Sequence, residues 1–159
     1  MTERLRMDRE EYFMEVARLG SDRSTCLHTW VSAVLVREGK IIATGFNGAP
    51  AGFPHCSTCL RETLKVPQGE KTEICRGSHA EANCLAQCAR FGISAEGSIM
   101  YVTHRPCSMC LKLLINAGVK EIVYEKEYHD DLVDQMLLVP NRIKIKKYFK
   151  GGSSSGGTC

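Results

Sequence analysis

The chain has no run of about 18 apolar residues, the length a membrane-spanning helix needs, so no segment reads as a transmembrane helix. Its first residues, MTERLRMDREEYF, lack the apolar core of a secretory signal. A reducing cytoplasm is the expected compartment. A large excess of charge of one sign is also lacking. Twenty-one Lys and Arg stand against 18 Asp and Glu, and the net charge of +3 is too small to argue for a nucleic-acid partner. With aromatics at 7% and a single Trp, the basic and aromatic surface expected of a tRNA-acting protein is missing as well. No internal repeat is visible, which leaves no ground for a repeat architecture.

What is present suits one compact domain. The 159 residues are 43% hydrophobic and 25% charged, enough to bury a sizeable core. Residues 1–150 read as a single domain, and the Gly/Ser-rich GGSSSGGTC at 151–159 reads as a flexible tail. The mild positive balance suits a small anionic substrate. Nine cysteines are many. In a reducing compartment they read as metal ligands, a redox centre or buried thiols rather than a disulfide frame.

Periodicity gives the elements. Asp8 to Leu19, with Phe13, Val16, Ala17 and Leu19, predicts an amphipathic helix capped by Asp8. WVSAVLV, Trp30 to Val36, reads as a buried strand. REGK turns the chain into a second strand, KIIATGFN, making a hairpin. Gly48 to Gly77 is long and rich in Pro, Gly and Cys, and a loop of that length needs an internal clamp. SHAEANCLAQCARFG predicts a helix with a Ser78 cap and a stop at Gly92. Thereafter come a strand at Ser98–Thr103, a helix at Cys107–Gly118 entered by Pro106, a strand at Glu121–Tyr124, a short helix in HDDLVDQMLL and a last strand in NRIKIKKYF. This alternation predicts an α/β fold, a sheet covered by helices on both faces.

Four residues stand out against that background. His79 and Glu81 open one predicted helix, and Cys107 and Cys110 open another. One imidazole and two sulfurs at helix starts, where unpaired N–H groups favour thiolates, are a zinc donor set. Three protein ligands leave the fourth position to water, as in a catalytic site; a structural zinc takes a fourth protein ligand. Glu81 decides between them, because a carboxylate beside that water can accept its proton and pass it on. The alternatives are a redox or buried CxxC pair and an ordinary capped helix start. HxE at one helix start with PCxxC at another is the zinc-deaminase signature.

At these residues the chain resembles the zinc-dependent cytidine/deoxycytidylate deaminase superfamily, and its dCMP branch in particular. The resemblance extends through RSTC, KIIATGFNGAPAG, HCSTCLR, CRGSHAEAN, MYVTHRPCSMC and INAGVKEIVYEKEYHDD, from Arg23 to about Leu138. The GxNGxPxG stretch, Gly45 to Gly52, carries the likeness to the dCMP branch. Ala82, Cys84, Phe46 and Ser32 depart from the usual family residues. The resemblance implies a three-layer α/β/α cytidine-deaminase-like fold with a central five-stranded mixed sheet. It implies hydrolysis of dCMP to dUMP and ammonia, which supplies dUMP for dTMP synthesis. Water activated at zinc would attack C4, with Glu81 protonating N3 and assisting departure of the amine. The Ala80 N–H would meet the base carbonyl, and Asn47 the deoxyribose. Arg23 and Ser24 are candidates for the 5′-phosphate. Against these stand an Asn47 that is a turn residue before Gly48, and an Arg23 that is a solvated surface charge.

Cys26, Cys56, Cys59 and Cys75 remain, with His55 beside them. Four sulfurs on one ion would make a closed structural zinc site and clamp the long loop. Cys26, Cys56 and Cys75 are favoured, with Cys59 or His55 as the fourth; the alternative is free thiols in a mobile loop. Cys84 and Cys88 read as small core residues. The resemblance further implies a homo-hexamer activated by dCTP, with Mg²⁺, and inhibited by dTTP. Gly48, Pro50, Gly52 and Arg90 are the allosteric candidates. The competing functions are another zinc nucleoside, nucleotide or tRNA deaminase, and a non-catalytic zinc-binding interaction protein.

Overall fold

The computed structural model describes residues 6–140 and 143–151. The expected tail beyond Gly151, Cys159 included, lies outside the described residues. Five strands form one mixed sheet in the order β2-β1-β3-β4-β5. They are β1 (Ser32–Arg37), β2 (Lys40–Phe46), β3 (Ile99–His104), β4 (Glu121–Lys126) and β5 (Lys144–Lys147). β1 runs antiparallel to both β2 and β3, while β3, β4 and β5 are parallel. The helices are α1 (Arg9–Ser21), α2 (Leu60–Thr63), α3 (Ala80–Phe91), α4 (Ser108–Asn116) and α5 (Asp131–Leu138).

The layering follows from strand pleat. Alternate residues of a strand face opposite sides. Val34, Val36, Tyr101 and Val123 meet Phe13, Met14 and Ala17 of α1 in one cluster. Ala33, Leu35, Met100, Val102 and Ile122 face the other way, onto Ala80, Cys84 and Cys88 of α3, Leu111 and Leu114 of α4, and Val133 of α5. The three-layer α/β/α fold with a five-stranded mixed sheet is therefore observed. Cys84 and Cys88 are core residues, as expected, and the Cys84 thiol donates to the Ala33 carbonyl at 3.3 Å.

Local signals mostly hold. Asp8 caps α1, accepting from the Glu10 N–H at 2.9 Å. Gly92 ends α3 in the left-handed conformation, φ 65°, where a residue without Cβ is favoured. Three expectations need correction. Trp30 is exposed and precedes the strand, its indole N–H held by the Cys26 carbonyl. Leu19 is 70% exposed while Met14 is fully buried, because Met14 lies on the helix face of Phe13 and Ala17. Ser78 does not cap α3; His79 takes that position, and the Ser78 backbone pairs with Gly48 in both directions. The segment 48–77 is not wholly irregular, since α2 and a 3₁₀ turn at Thr72–Ile74 interrupt it.

The sheet places the site. α3 and α4 both start beside the carboxyl end of β3, where open α/β sheets present their ligand crevice. Gly45 of β2 lets α3 approach closely. A Cβ there would lie 2.3 Å from the Ala80 carbonyl oxygen and 2.6 Å from the Cys84 nitrogen, so no side chain fits against this backbone. The Asn83 amide donates to the Phe46 carbonyl at 2.7 Å and secures the same contact.

Candidate active site

His79 is the N-cap of α3 and Cys107 the N-cap of α4. Cys110 lies one turn into α4. Packing of the two helix starts brings the three donors together: His79 Nδ1 lies 3.4 Å from the sulfur of Cys107 and 3.4 Å from that of Cys110. All three donor atoms fall within 4.8 Å of one another, and no fourth ligand atom of the described residues joins them. Around a tetrahedral zinc, nitrogen and sulfur ligands sit about 3.6 Å apart. One imidazole and two thiols at that spacing fit the ion.

Electrostatics agree with the geometry. The S–H of Cys110 donates toward Cys107 and, outweighing burial, draws its thiol down to about 4; His79 and the Cys110 N–H act in the same direction. Cys110 is pushed up in turn, chiefly by its bond with Cys107 and by burial. The Cys107 sulfur raises the His79 imidazole against the burial that lowers it. Glu81 is 4% exposed, and burial raises its carboxyl above the usual range.

The donors open onto a cleft of about 530 Å³. Asn47, Ala80 and Glu81 line it. Asn47 Oδ1 accepts from the Ser24 hydroxyl and the Val31 N–H, and its Nδ2 donates to the Thr29 carbonyl. One Nδ2 hydrogen is left for a ligand. The phosphate candidates Arg23 and Ser24 both lie outside the residues that line the cleft. Arg23 is exposed and borders a separate hollow with Val16 and Phe46, and the Ser24 hydroxyl is spent on Asn47. Cationic lining comes instead from Arg61, Lys65, Arg76 and Arg105, with His104 and Tyr128 beside them. Sequence reading missed these. Arg105 and Tyr128 sit inside the motif segments THRPC and EKEYHDD, where their positions were the signal; nothing marked Arg61.

Cys26, Cys56, Cys59 and Cys75 all line the same cleft, each half-buried and free. No three of them bring their sulfurs together as the His79 group does. His55 is exposed and outside the cleft lining. Of the allosteric candidates, Gly48 is buried against Thr25, Pro50 is exposed, Gly52 is an open left-handed turn at φ 85°, and Arg90 lies over the Phe91 ring. A further convergent group, His129, Asp131 and Asp134, is fully on the surface.

The family model for the zinc-binding region of cytidine and deoxycytidylate deaminases matches residues 7–126. The chain belongs to that family. The chain is 39% identical over 127 residues to the deoxycytidylate deaminase of Mycobacterium phage D29, a match that covers 77% of this chain and 98% of the phage protein. It is 38% identical over 123 residues to ComE operon protein 2 of Bacillus subtilis, covering 77% and 62%. With the deoxycytidylate deaminase of Schizosaccharomyces pombe the identity is 34% over 147 residues, covering 91% and 45%. The chain thus spans nearly all of one such relative and about half of another. The crystal structure of the dCMP deaminase from cyanophage S-TIM5 in complex with dCMP and dUMP superposes with a TM-score of 0.71 at 32% identity, covering 91% of this chain and 100% of the phage chain.

Proposed function

We propose that this deaminase hydrolyses dCMP to dUMP and ammonia. The carrying observation is the buried Glu81 carboxylate beside three converged zinc donors, at the floor of a cleft that also presents Asn47. The likeness to phage enzymes named for this reaction, one of them solved with dCMP and dUMP, supports the choice of substrate. His79, Cys107 and Cys110 would hold zinc, which supplies a water acidic enough to react near neutral pH. Glu81 would be the proton carrier: it would take up a proton from the attacking water, donate it to N3 of the ring and convey a second to the departing amine, so that the C4–N bond breaks with loss of ammonia as the C4–O bond forms. Asn47 and the Ala80 N–H orient the sugar and the base carbonyl. Arg76 and Lys65 at the cleft wall meet the 5′-phosphate.

The reading extends to a single deaminase domain over residues 1–150, working in the cytoplasm and supplying dUMP for dTMP synthesis. The eight described cysteines are all free, which suits a reducing compartment. No helix of the described residues is long and apolar enough to cross a membrane. Cys26, Cys56, Cys59 and Cys75 would take a second, structural zinc, drawing four cleft-lining sulfurs onto one ion. The site would work in a homo-hexamer, activated by dCTP with Mg²⁺ and inhibited by dTTP, through Gly48, Pro50, Gly52 and Arg90. Ammonia release from dCMP, cytidine, dCTP and a tRNA substrate, with and without dCTP and Mg²⁺, tests this. dCMP is expected to turn over about 10–100-fold faster than the others, the order of one charge-assisted hydrogen bond lost or misplaced at the phosphate. Faster turnover of cytidine or tRNA would overturn the assignment.

A further inference from the structure

The loop that carries Cys107 between β3 and α4 is held from outside by three contacts. The Arg105 N–H donates to the Lys126 carbonyl at the end of β4, at 2.8 Å. The Arg105 guanidinium, 11% exposed, reaches Asp134 of α5 at 2.5 Å. The Ser108 N–H, first of α4, donates to Asp130 Oδ2 at 2.8 Å. The other oxygen of that carboxylate, Oδ1, accepts from the Leu132 N–H at 3.1 Å and caps α5. One carboxylate therefore closes two helix N-termini, and one of those helices begins at a zinc-donor cysteine. Asp130 and Asp134 are four residues apart and share a face at the start of α5.

The division of donors is specific. Asp130 takes the Ser108 N–H, and the Cys107 sulfur takes the Cys110 N–H. Burial works to raise the Asp130 carboxyl, but N–H donation from Ser108 and from the α5 turn outweighs it and holds the group below the usual carboxylate range. It stays charged between two positive helix ends. A cap for α5 alone would need only the Leu132 contact.

We infer that Asp130 is a positioning residue of the metal centre, fixing through Ser108 the direction in which Cys107 presents its sulfur, with Asp134 steadying the same loop through Arg105. The inference rests on the metal-binding reading of His79, Cys107 and Cys110 and is independent of the substrate. Partners that orient a metal ligand typically contribute 10–100-fold to metal affinity.

The test is zinc affinity of the intact chain, by competition with a chromophoric chelator, together with the visible absorption of the cobalt(II)-loaded protein. Asp130→Ala is expected to lower zinc affinity about 10–100-fold and to change the cobalt–thiolate band. Asp130→Ser keeps a good α5 cap but is too short to reach Ser108, so it is expected to lose affinity alike. Asp130→Asn keeps one acceptor oxygen, enough for the Ser108 N–H or the Leu132 N–H but not both, and is expected to recover part of the affinity that Asp130→Ala loses. Wild-type affinity and spectrum in a folded Asp130→Ser chain would overturn the inference and leave Asp130 a plain helix cap. If Asp130→Ala does not fold, the serine and asparagine variants decide. A wild-type chain that binds no zinc at all would overturn the metal reading, and this inference with it.

Discussion

Glu81→Gln is expected to retain zinc and to lose turnover of dCMP by about 10²–10⁴-fold, the usual contribution of a positioned acid–base group. Glutamine keeps the size of the side chain and an oxygen acceptor but cannot shuttle a proton. The carboxyl is buried in the first turn of α3, two residues from His79, and its burial already favours proton uptake. None of the three metal donors is replaced, so the zinc content of the variant should equal that of the wild type. Ammonia release and metal analysis on the same sample check both halves. Full activity in Glu81→Gln would contradict the mechanism, and a parallel loss of metal would mean that Glu81 is a ligand rather than a proton carrier.

Removing a donor should have an effect at least as large, by a different route. Cys110→Ala leaves His79 and Cys107 to hold the ion, and zinc affinity and turnover are both expected to collapse. Cys110 is 2% exposed, so alanine removes its sulfur from a buried site. Cys84→Ala is the matched control. Its sulfur is equally buried, but it faces the Ala33 carbonyl in the core rather than the donor group. That variant should lose some stability and keep its zinc and its turnover. Zinc titration and dCMP turnover of the two variants side by side give the comparison. Similar metal loss in both would show that the effect is one of folding.

The donor set was legible in sequence because each part of it is local. HxE and PCxxC name residue types a core does not require, and each motif begins a helix by ordinary signals, so His79 and Cys107 could be placed at helix N-termini in advance. The layers were legible for the same reason: alternation along β1 separates Val34 and Val36 from Ala33 and Leu35. The cleft wall was not. Arg61, the adjacent His104 and Arg105, and Tyr128 come from three separate segments, and only the tertiary fold gathers them around the cleft. Charge type alone does not say which face of a turn a side chain takes, and Arg23 borders the hollow beside Val16 and Phe46. Trp30 was misplaced because an apolar run continues past the end of a strand, where a hydrogen bond to the Cys26 carbonyl serves its indole instead. The bridging of two helix ends by Asp130 needed the tertiary contact between α4 and α5, although its capping of α5 could be read from the acidic start of HDDLVDQ.

The most direct measurement is dCMP turnover by protein stripped of metal, followed as zinc is returned. No ammonia is expected from the stripped protein, and activity should return with zinc bound at His79, Cys107 and Cys110. Sustained turnover by protein verified free of metal would contradict the account.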